Sequence, residues 1–321
     1  MKEIDIRRNM EKVIEVNNLT KSYGKFKALD DLSIYVEKGK IFGLLGPNGS
    51  GKTTTINCIL SLLNFEKGSI KIFGKEMMPD SYDIKRKIGV VFQDVAVFDE
   101  LTVYENINYF CGLYISDKEK REQCVLDAIK LTGLEEFTKF RPKQLSGGLL
   151  RRLNIACGIA HKPELIFLDE PTVAVDPQSR NSILEGIKKL NKDGATIVYT
   201  THYMEEVEML CNRIAILDKG KMIAVGTKED LKELATIGEK VTVETKELTK
   251  ENINELEKKK NVIDVKYDGE TLFVTYKKGE DNLEKIISFL KDNNIKYTKI
   301  FSELPTLNDV FLELTGKELR D

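Results

Sequence analysis

The stretch Gly46-Pro47-Asn48-Gly49-Ser50-Gly51-Lys52-Thr53 satisfies the spacing G-x-x-x-x-G-K-[ST]. Its chemistry is phosphate binding. Glycines let the backbone curl so that successive N–H groups point at phosphate oxygens. A helix starting directly after the loop adds its free N-terminal donors and the positive end of its dipole. Lys52 can neutralise the β and γ phosphates of a nucleotide, and the Thr53 hydroxyl can ligate Mg²⁺. Two carboxylates, Asp169 and Glu170, close the apolar run Leu165-Ile166-Phe167-Leu168. Asp169 suits Mg²⁺, directly or through a bound water. Glu170 suits a base or positioner for a water attacking a γ-phosphate. Gln93 ends the run Ile88–Phe92, where α/β sheets place ligand contacts. It can reach Mg²⁺ or an attacking water, or it can simply bond to backbone. His202 stands just beyond the buried run Ala195–Thr200. Alone it would be a satisfied packing residue; within this constellation an imidazole donor to the γ-phosphate is favoured.

These groups need strands that end beside one another and helices that follow them. Ile41, Gly43, Leu44 and Leu45 read as a short buried strand before the loop. Thr54–Leu63 reads as the helix after it, with Ile56, Ile59, Leu60 and Leu63 on one face. Val13–Val16 and Ser33–Val36 read as strands around a turn at Lys21–Lys25. Tyr23 in that turn is either an aromatic platform for a nucleotide base or a half-buried turn tyrosine. Ser69–Phe73 is a further strand. The chain then turns helical from about Leu101 to Leu134, which interrupts the strand–helix alternation and marks a subdomain. Thr102 with Glu105, and Ser116 with Glu119, fit capping boxes, and Gly133 fits a helix C-terminus. Tyr104, Ile107, Tyr109, Phe110 and Tyr114 read as that subdomain's core rather than a cofactor box. Leu145-Ser146-Gly147-Gly148-Leu149 precedes a helix running to about His161. Ser146 is either an ordinary N-cap or, with Gly147 and Gly148, part of a second anion site at a helix N-terminus. Ile214–Leu217 and Met222–Val225 flank a hairpin turn, and Thr227 with Asp230 resembles a helix start. After about Ile237 the order becomes β-α-β-β-α-β, that of a ferredoxin-like unit. It carries no phosphate loop or catalytic cluster, which leaves dimerisation, support of the first domain, or ligand sensing.

Composition narrows the function classes. The chain has 321 residues, room for two domains or three, and a net charge of −2. That balance argues against a general nucleic-acid footprint. The charged N-terminus, residues 1–8, does not read as a secretory signal. No apolar run approaches the roughly 18–20 residues that span a bilayer, so a membrane role is expected through a partner. The five cysteines are scattered without a C-x-x-C pair and read as reduced, packed thiols. Two histidines, His161 and His202, are too few for a multi-histidine metal site.

From Val13 to about Leu234 the chain resembles the ATP-binding subunit of an ABC transporter. Tyr23 matches the base-stacking aromatic, Gly46–Thr53 the Walker A loop, and Gln93 the Q-loop glutamine. Leu145–Leu149 resembles the LSGGQ signature. Asp169 and Glu170 match Walker B and the catalytic glutamate, His202 the switch histidine, and Asp176 the D-loop aspartate. The tail through Leu307–Leu319 looks like that of export-type ATPases serving separate permeases for drugs, antibiotics, lipids or polysaccharides. Two positions depart from the family. Leu149 stands where glutamine is usual, and the D-loop reads Val173-Ala174-Val175-Asp176 instead of Ser-Gly-Leu-Asp, which bears on communication between sites.

The resemblance implies an α/β P-loop ATPase domain at 13–236, with an inserted helical subdomain at about 94–144. A small C-terminal accessory α+β (ferredoxin-like) domain follows at 237–321. It implies ATP and Mg²⁺ as ligands. Gly46 through Thr53, Thr54 and Tyr23 would contact the nucleotide, and Thr53, Gln93 and Asp169 the metal. Glu170, His202 and Gln93 would be catalytic. It implies a head-to-tail pair of identical chains, in which Ser146, Gly147, Gly148 and Asp176 of one chain close over the nucleotide of the other. It implies a separate transmembrane permease, no nucleic acid, and a peripheral place at the cytoplasmic face of the membrane. The rival readings are a non-transport ABC ATPase acting on ribosomes, DNA or another cytosolic macromolecule, and a non-catalytic nucleotide sensor. A single cassette and low basicity weigh against the first; Glu170 with His202 weighs against the second.

Overall fold

The computed structural model describes residues 11–279 and 281–316. The charged lead at residues 1–8 and the part of the export-like tail beyond Gly316 lie outside them. The chain divides into two compact units between Thr227 and Lys228.

The first unit has two sheets. Four antiparallel strands stand in the order β2-β1-β4-β5: β1 (Lys12–Tyr23), β2 (Phe26–Glu37), β4 (Lys67–Ile72) and β5 (Lys75–Glu76). β1 and β2 are far longer than the sequence reading made them. The register shifts between Val16 and Leu19, and Asn18 takes φ 51°. A bulge of this kind breaks the alternation of apolar and polar residues that marks a strand. The second sheet has the order β10-β9-β3-β8-β7-β6. Its parallel strands are β3 (Ile41–Leu45), β6 (Ile88–Val91), β7 (Leu165–Asp169), β8 (Thr196–Thr201) and β9 (Arg213–Asp218), with β10 (Lys221–Gly226) antiparallel at one edge. β3, β7 and β8 are buried at every position, as central strands covered on both faces must be. Because β3, β6, β7 and β8 are parallel, the residues that follow them emerge at one edge of the sheet. These are Gly46, Gln93, Glu170 and His202.

The helices of this unit are α1 (Lys52–Ile59), α2 (Tyr82–Lys85), α3 (Val103–Gly112), α4 (Lys118–Thr132), α5 (Gly147–Ile159), α6 (Pro177–Lys192) and α7 (Met204–Leu210). α1 ends at Ile59 because Ser61 turns to φ 55°, short of the expected Leu63. Helices α3, α4 and α5 enclose their own core of Val103, Ile107, Val125, Ile129, Leu134 and Leu153, so the helical block continues into α5, past the 94–144 limits drawn from sequence. Thr102 and Glu105 form the expected capping box. The cap of α4 is Asp117, whose side chain accepts from Lys120 N–H, rather than Ser116. Gly133 ends α4 at φ 64°. Ile107 is buried, but Tyr109 and Tyr114 stay about half exposed, and Tyr114 stacks on His161 at 3.8 Å between centroids. All five cysteines are buried, free thiols.

The second unit comprises α8 (Lys228–Leu234), β11 (Ile237–Glu244), α9 (Lys250–Glu257), β12 (Val262–Tyr267), β13 (Thr271–Lys277), α10 (Asn282–Asp292), β14 (Lys299–Glu303) and α11 (Leu307–Thr315). Its antiparallel sheet has the order β12-β13-β11-β14, the pairing of a ferredoxin-like β-α-β-β-α-β unit. Val241, Val274, Tyr276, Ile286 and Phe289 fill its core. The sequence reading drew the boundary at 236/237; α8 falls instead with this unit, because it packs on α11 and buries Leu231.

One close approach sets the site's geometry. A Cβ on Gly158 of α5 would lie 2.7 Å from Val91 Cγ2 and 2.8 Å from Val90 O, and one on Gly89 of β6 would lie 2.5 Å from Gly158 O. Helix and strand therefore pack backbone to backbone. We expect Gly158→Val to destabilise the first unit by about 1–3 kcal/mol in urea unfolding followed by far-UV circular dichroism. An unchanged midpoint would mean that α5 is free to stand off the sheet.

Candidate active site

The loop between β3 and α1 is built by crowding as much as by flexibility. A Cβ on Gly46 would meet Leu217 O at 2.3 Å, so only glycine lets the loop leave β3 beside β9. Ser50 N–H donates to Pro47 O at 3.1 Å and closes the turn. Gly51, at φ 106°, stands at the N-cap of α1, and no side chain caps that helix. The first-turn N–H groups of α1 are therefore available to an anion. The Ser50 hydroxyl is buried without a hydrogen-bond partner among the described residues, an orphaned polar group that a bound phosphate oxygen would satisfy.

Lys52 is buried. Its Nζ donates to Gly46 O at 2.8 Å and to Pro47 O at 3.3 Å, and lies 3.0 Å from Glu170 Oε1. The second carboxylate oxygen, Glu170 Oε2, lies 3.2 Å from His202 Nδ1. Glu170 thus bridges the lysine of the loop and the histidine beyond β8. Its backbone takes φ 47°, a left-handed conformation unusual for a residue with a side chain. Its N–H is held by Thr200 O at 3.1 Å and Thr200 Oγ1 at 3.0 Å. Asp169 accepts from Thr53 Oγ1 at 2.9 Å and from the Thr200 hydroxyl. Thr53, Asp169 and Gln93 line one cavity of about 370 Å³. Hydroxyl, carboxylate and amide oxygens are a hard donor set, which fits Mg²⁺.

The remaining sequence-derived residues lie apart from this cluster. Ser146 caps α5, accepting from Leu149 N–H at 3.3 Å, and Ser146 and Gly147 are exposed. A Cβ on Gly147 would meet nothing within 4 Å, whereas one on Gly148 would lie 2.3 Å from Ser179 Oγ and 3.0 Å from Asp176 Oδ2. Asp176 caps α6 by accepting from Ser179 N–H at 2.9 Å, which holds its carboxyl below the usual range. Signature and D-loop residues therefore form a second cluster. Leu149, where the family has glutamine, packs half-buried on the core of the helical block. Thr54 is half-buried in the first turn of α1. Tyr23 is exposed at the end of β1, opposite Phe26.

Sequence reasoning missed several supports. Thr200 reads as an ordinary strand residue, yet its hydroxyl bonds to both Asp169 and Glu170. Arg151 sits in a pair with Arg152 that looks like a solvated charge run, yet it is buried beside the end of β7. Glu206 is buried and accepts from Tyr199 Oη at 2.7 Å and Thr201 Oγ1 at 2.8 Å, with Arg180 Nε at 3.7 Å. The Arg180 guanidinium lies over the Tyr203 ring at 4.4 Å, and that ring leans on His202 at 4.1 Å between centroids. A polar residue inside an otherwise apolar periodicity is the only sequence signal these groups give.

Comparison with known proteins gives the family. Residues 29–173 match the ABC transporter family, and residues 226–315 match the family described as ATP-binding protein DrrA1-3-like, C-terminal domain. The linearmycin resistance ATP-binding protein LnrL of Bacillus subtilis is 38% identical, over 96% of this chain and 100% of its own. The daunorubicin resistance ATP-binding protein DrrA3 of Streptomyces coeruleorubidus is 31% identical, over 96% of this chain and 97% of its own. The dimeric, post-hydrolysis structure of the ATP-binding cassette MJ0796, bound to ADP and Pi, is 31% identical with a TM-score of 0.61, over 67% of this chain and 98% of its own. The chain belongs to the ABC transporter ATP-binding proteins. It is an ATP-hydrolysing subunit of the export type, as the sequence reading expected.

The Lys52–Glu170 pair must open before Lys52 can meet a phosphate, and the buried carboxylate repels the anion as it enters. Glu170→Gln should therefore tighten ADP binding about 3–10-fold, or roughly 0.65–1.4 kcal/mol, by isothermal titration calorimetry. ADP avoids any confusion with turnover. Equal or weaker ADP binding would show that the pair does not oppose the nucleotide.

Proposed function

We propose that the chain binds Mg-ATP at the loop of Gly46–Thr53 with Thr54, and hydrolyses it with Glu170 as general base. The observation that carries this reading is the Glu170 carboxylate held between Lys52 and His202 at the end of β7. On nucleotide entry Lys52 exchanges Glu170 and the Gly46 carbonyl for phosphate oxygens. The freed carboxylate then accepts a proton from a water in line with the γ-phosphate. His202, braced by Tyr203, donates a hydrogen bond to the γ-phosphate as charge moves onto it. The uncapped first-turn N–H groups of α1 are already oriented toward the phosphates, the kind of preorganised stabilisation that lowers the barrier, and Lys52 joins them once released. Thr53, Asp169 and Gln93 would hold Mg²⁺, which when bound offsets phosphate charge. Tyr23 would stack on the base.

Two chains pair head to tail in this reading. Ser146 and Gly147 are exposed at the start of α5 and have no neighbour over Gly147, which suits them to the γ-phosphate held by the partner, with Asp176 at the same seam. The separate permease would seat in the apolar cleft of about 380 Å³ between the end of β6 and the helical block. Val90, Phe92, Phe110, Leu113 and Tyr114 line it. Among the described residues no helix is long and apolar enough to cross a membrane, so the chain would sit at the cytoplasmic face through that permease. Closing and opening of the pair would drive the permease between two shapes. The second unit would serve as an accessory domain, dispensable for nucleotide binding.

Glu170→Gln is expected to keep ATP binding while turnover falls by roughly 10²–10⁴, measured as phosphate release. Wild-type turnover would remove Glu170 from the role. Sharing of the site is tested by mixing. Lys52→Ala and Ser146→Arg chains should each be inactive alone, but together they form one site with intact Lys52 facing intact Ser146. We expect partial turnover, or at the least ATP-dependent pairing on size exclusion. Full-rate hydrolysis by a strict monomer would refute the shared site.

A further inference from the structure

Arg151 is 4% exposed, and all five of its N–H donors face backbone carbonyls. Nε donates to Pro171 O at 2.9 Å. Nη1 donates to Phe92 O at 3.1 Å and Gln93 O at 2.7 Å. Nη2 donates to Asp169 O at 3.2 Å and Glu170 O at 2.6 Å. Among the described residues no carboxylate is hydrogen-bonded to it. A buried guanidinium held only by carbonyls is costly, and burial draws its pKa down, while Asp169, Asp94 and Glu170 favour its charge through space. The carbonyls come from two segments that share no backbone hydrogen bond beyond the strand ends: the Gln93 segment after β6, and the Asp169–Pro171 segment after β7. Arg151 itself stands one turn into α5, the helix that Ser146 begins. A single planar group therefore links the glutamine segment, the hydrolytic carboxylate and the signature helix.

We propose that Arg151 is a positioning residue for hydrolysis. Its guanidinium pins the Glu170 carbonyl, keeps that residue in its left-handed conformation, and ties it to the Gln93 segment. The inference rests on the reading of Glu170 as the general base. With that bond lost, only the longer Val173 N–H contact of 3.3 Å holds the carbonyl; Glu170 then relaxes toward ordinary backbone angles, and its side chain leaves the line between Lys52 and His202. Nucleotide binding, which uses the loop and α1, is left intact. Lysine cannot replace arginine here, because it offers three donors in a compact head where five carbonyls converge on a plane.

The test is a double-mutant cycle on the full chain with Arg151→Lys and Glu170→Gln, reading kcat, KM and ADP affinity. Arg151→Lys should lower kcat about 10–100-fold, with KM and the ADP Kd within about threefold of wild type. In the Glu170→Gln background the same substitution should change residual turnover less than about twofold, since a residue acting through Glu170 has nothing left to position. Equal losses in both backgrounds, or a loss of ADP binding, would overturn the positioning role and leave the base assignment standing. Wild-type turnover in Glu170→Gln alone would overturn the base assignment instead, and this inference with it. Should Arg151→Lys not fold, Arg151→Gln carries the same cycle. If neither folds by circular dichroism, the five bonds are a folding requirement and the proposal is wrong.

Discussion

A buried carboxylate held between a lysine and a histidine side chain, on a backbone that an ordinary residue avoids, is the constraint around which the first unit is arranged. Glu170 bears two costs. A left-handed φ costs an L-residue about 1–2 kcal/mol, and a desolvated carboxylate costs on the order of several kcal/mol. The structure offsets both locally. Lys52 Nζ lies 3.0 Å from one carboxylate oxygen and His202 Nδ1 lies 3.2 Å from the other. Thr200 takes the N–H twice over and Arg151 takes the carbonyl. Each of these partners sits on a different element. Removing any one would leave a buried group unpaired, which is why the α5–β6 contact, the β7–β8 register and the phosphate loop are conditions on one another.

The topology makes that convergence possible. Parallel strands β3, β6, β7 and β8 send their carboxyl ends to a single edge. The order β3-β8-β7-β6 then sets the spacing. The β3 and β7 ends flank β8, so Lys52 and Glu170 can meet beside Thr200 and His202. β6 lies next to β7, so Gln93 reaches the Asp169 side through Thr53's cavity. An antiparallel arrangement would have scattered these groups over two edges. Helices between the strands are what parallel pairing requires; α1 begins without a side-chain cap, and α6 is capped by Asp176.

Much of this could be read in the sequence, and for a physical reason. Where chemistry demands several residue types at fixed spacing, as in Gly46–Thr53 or Phe167-Leu168-Asp169-Glu170, local sequence is sufficient. The fold class, the parallel buried strands and the ferredoxin-like order of the second unit were legible from apolar runs and turn residues. What could not be read depends on contacts far apart in the chain. Arg151 looks like Arg152 until the end of β7 is placed beside it. Glu206 looks like a helix-surface residue until Tyr199 and Thr201 turn toward it. The register shift in β1 hides half a strand, because an inserted residue exchanges the two faces. Ser116 and Asp117 are both competent caps, and it is Asp117 whose side chain accepts from the first turn of α4.

The D-loop joins the two clusters, and its conformation explains why its sequence matters. Val173 N–H reaches Glu170 O at 3.3 Å and Val175 N–H reaches Thr172 O at 3.4 Å, so the segment from Glu170 to Asp176 is two successive tight turns. Ala174 lies in the second at φ 57°, a backbone region where glycine would be free of strain. Alanine there costs about 1 kcal/mol but also narrows the conformations open to the loop when it moves. Val175 is buried and fixes the loop from below. Asp176 in turn caps α6 and packs on Gly148. The left-handed backbones of Glu170 and Ala174 therefore belong to one short segment that runs from the end of β7 to the cap of α6.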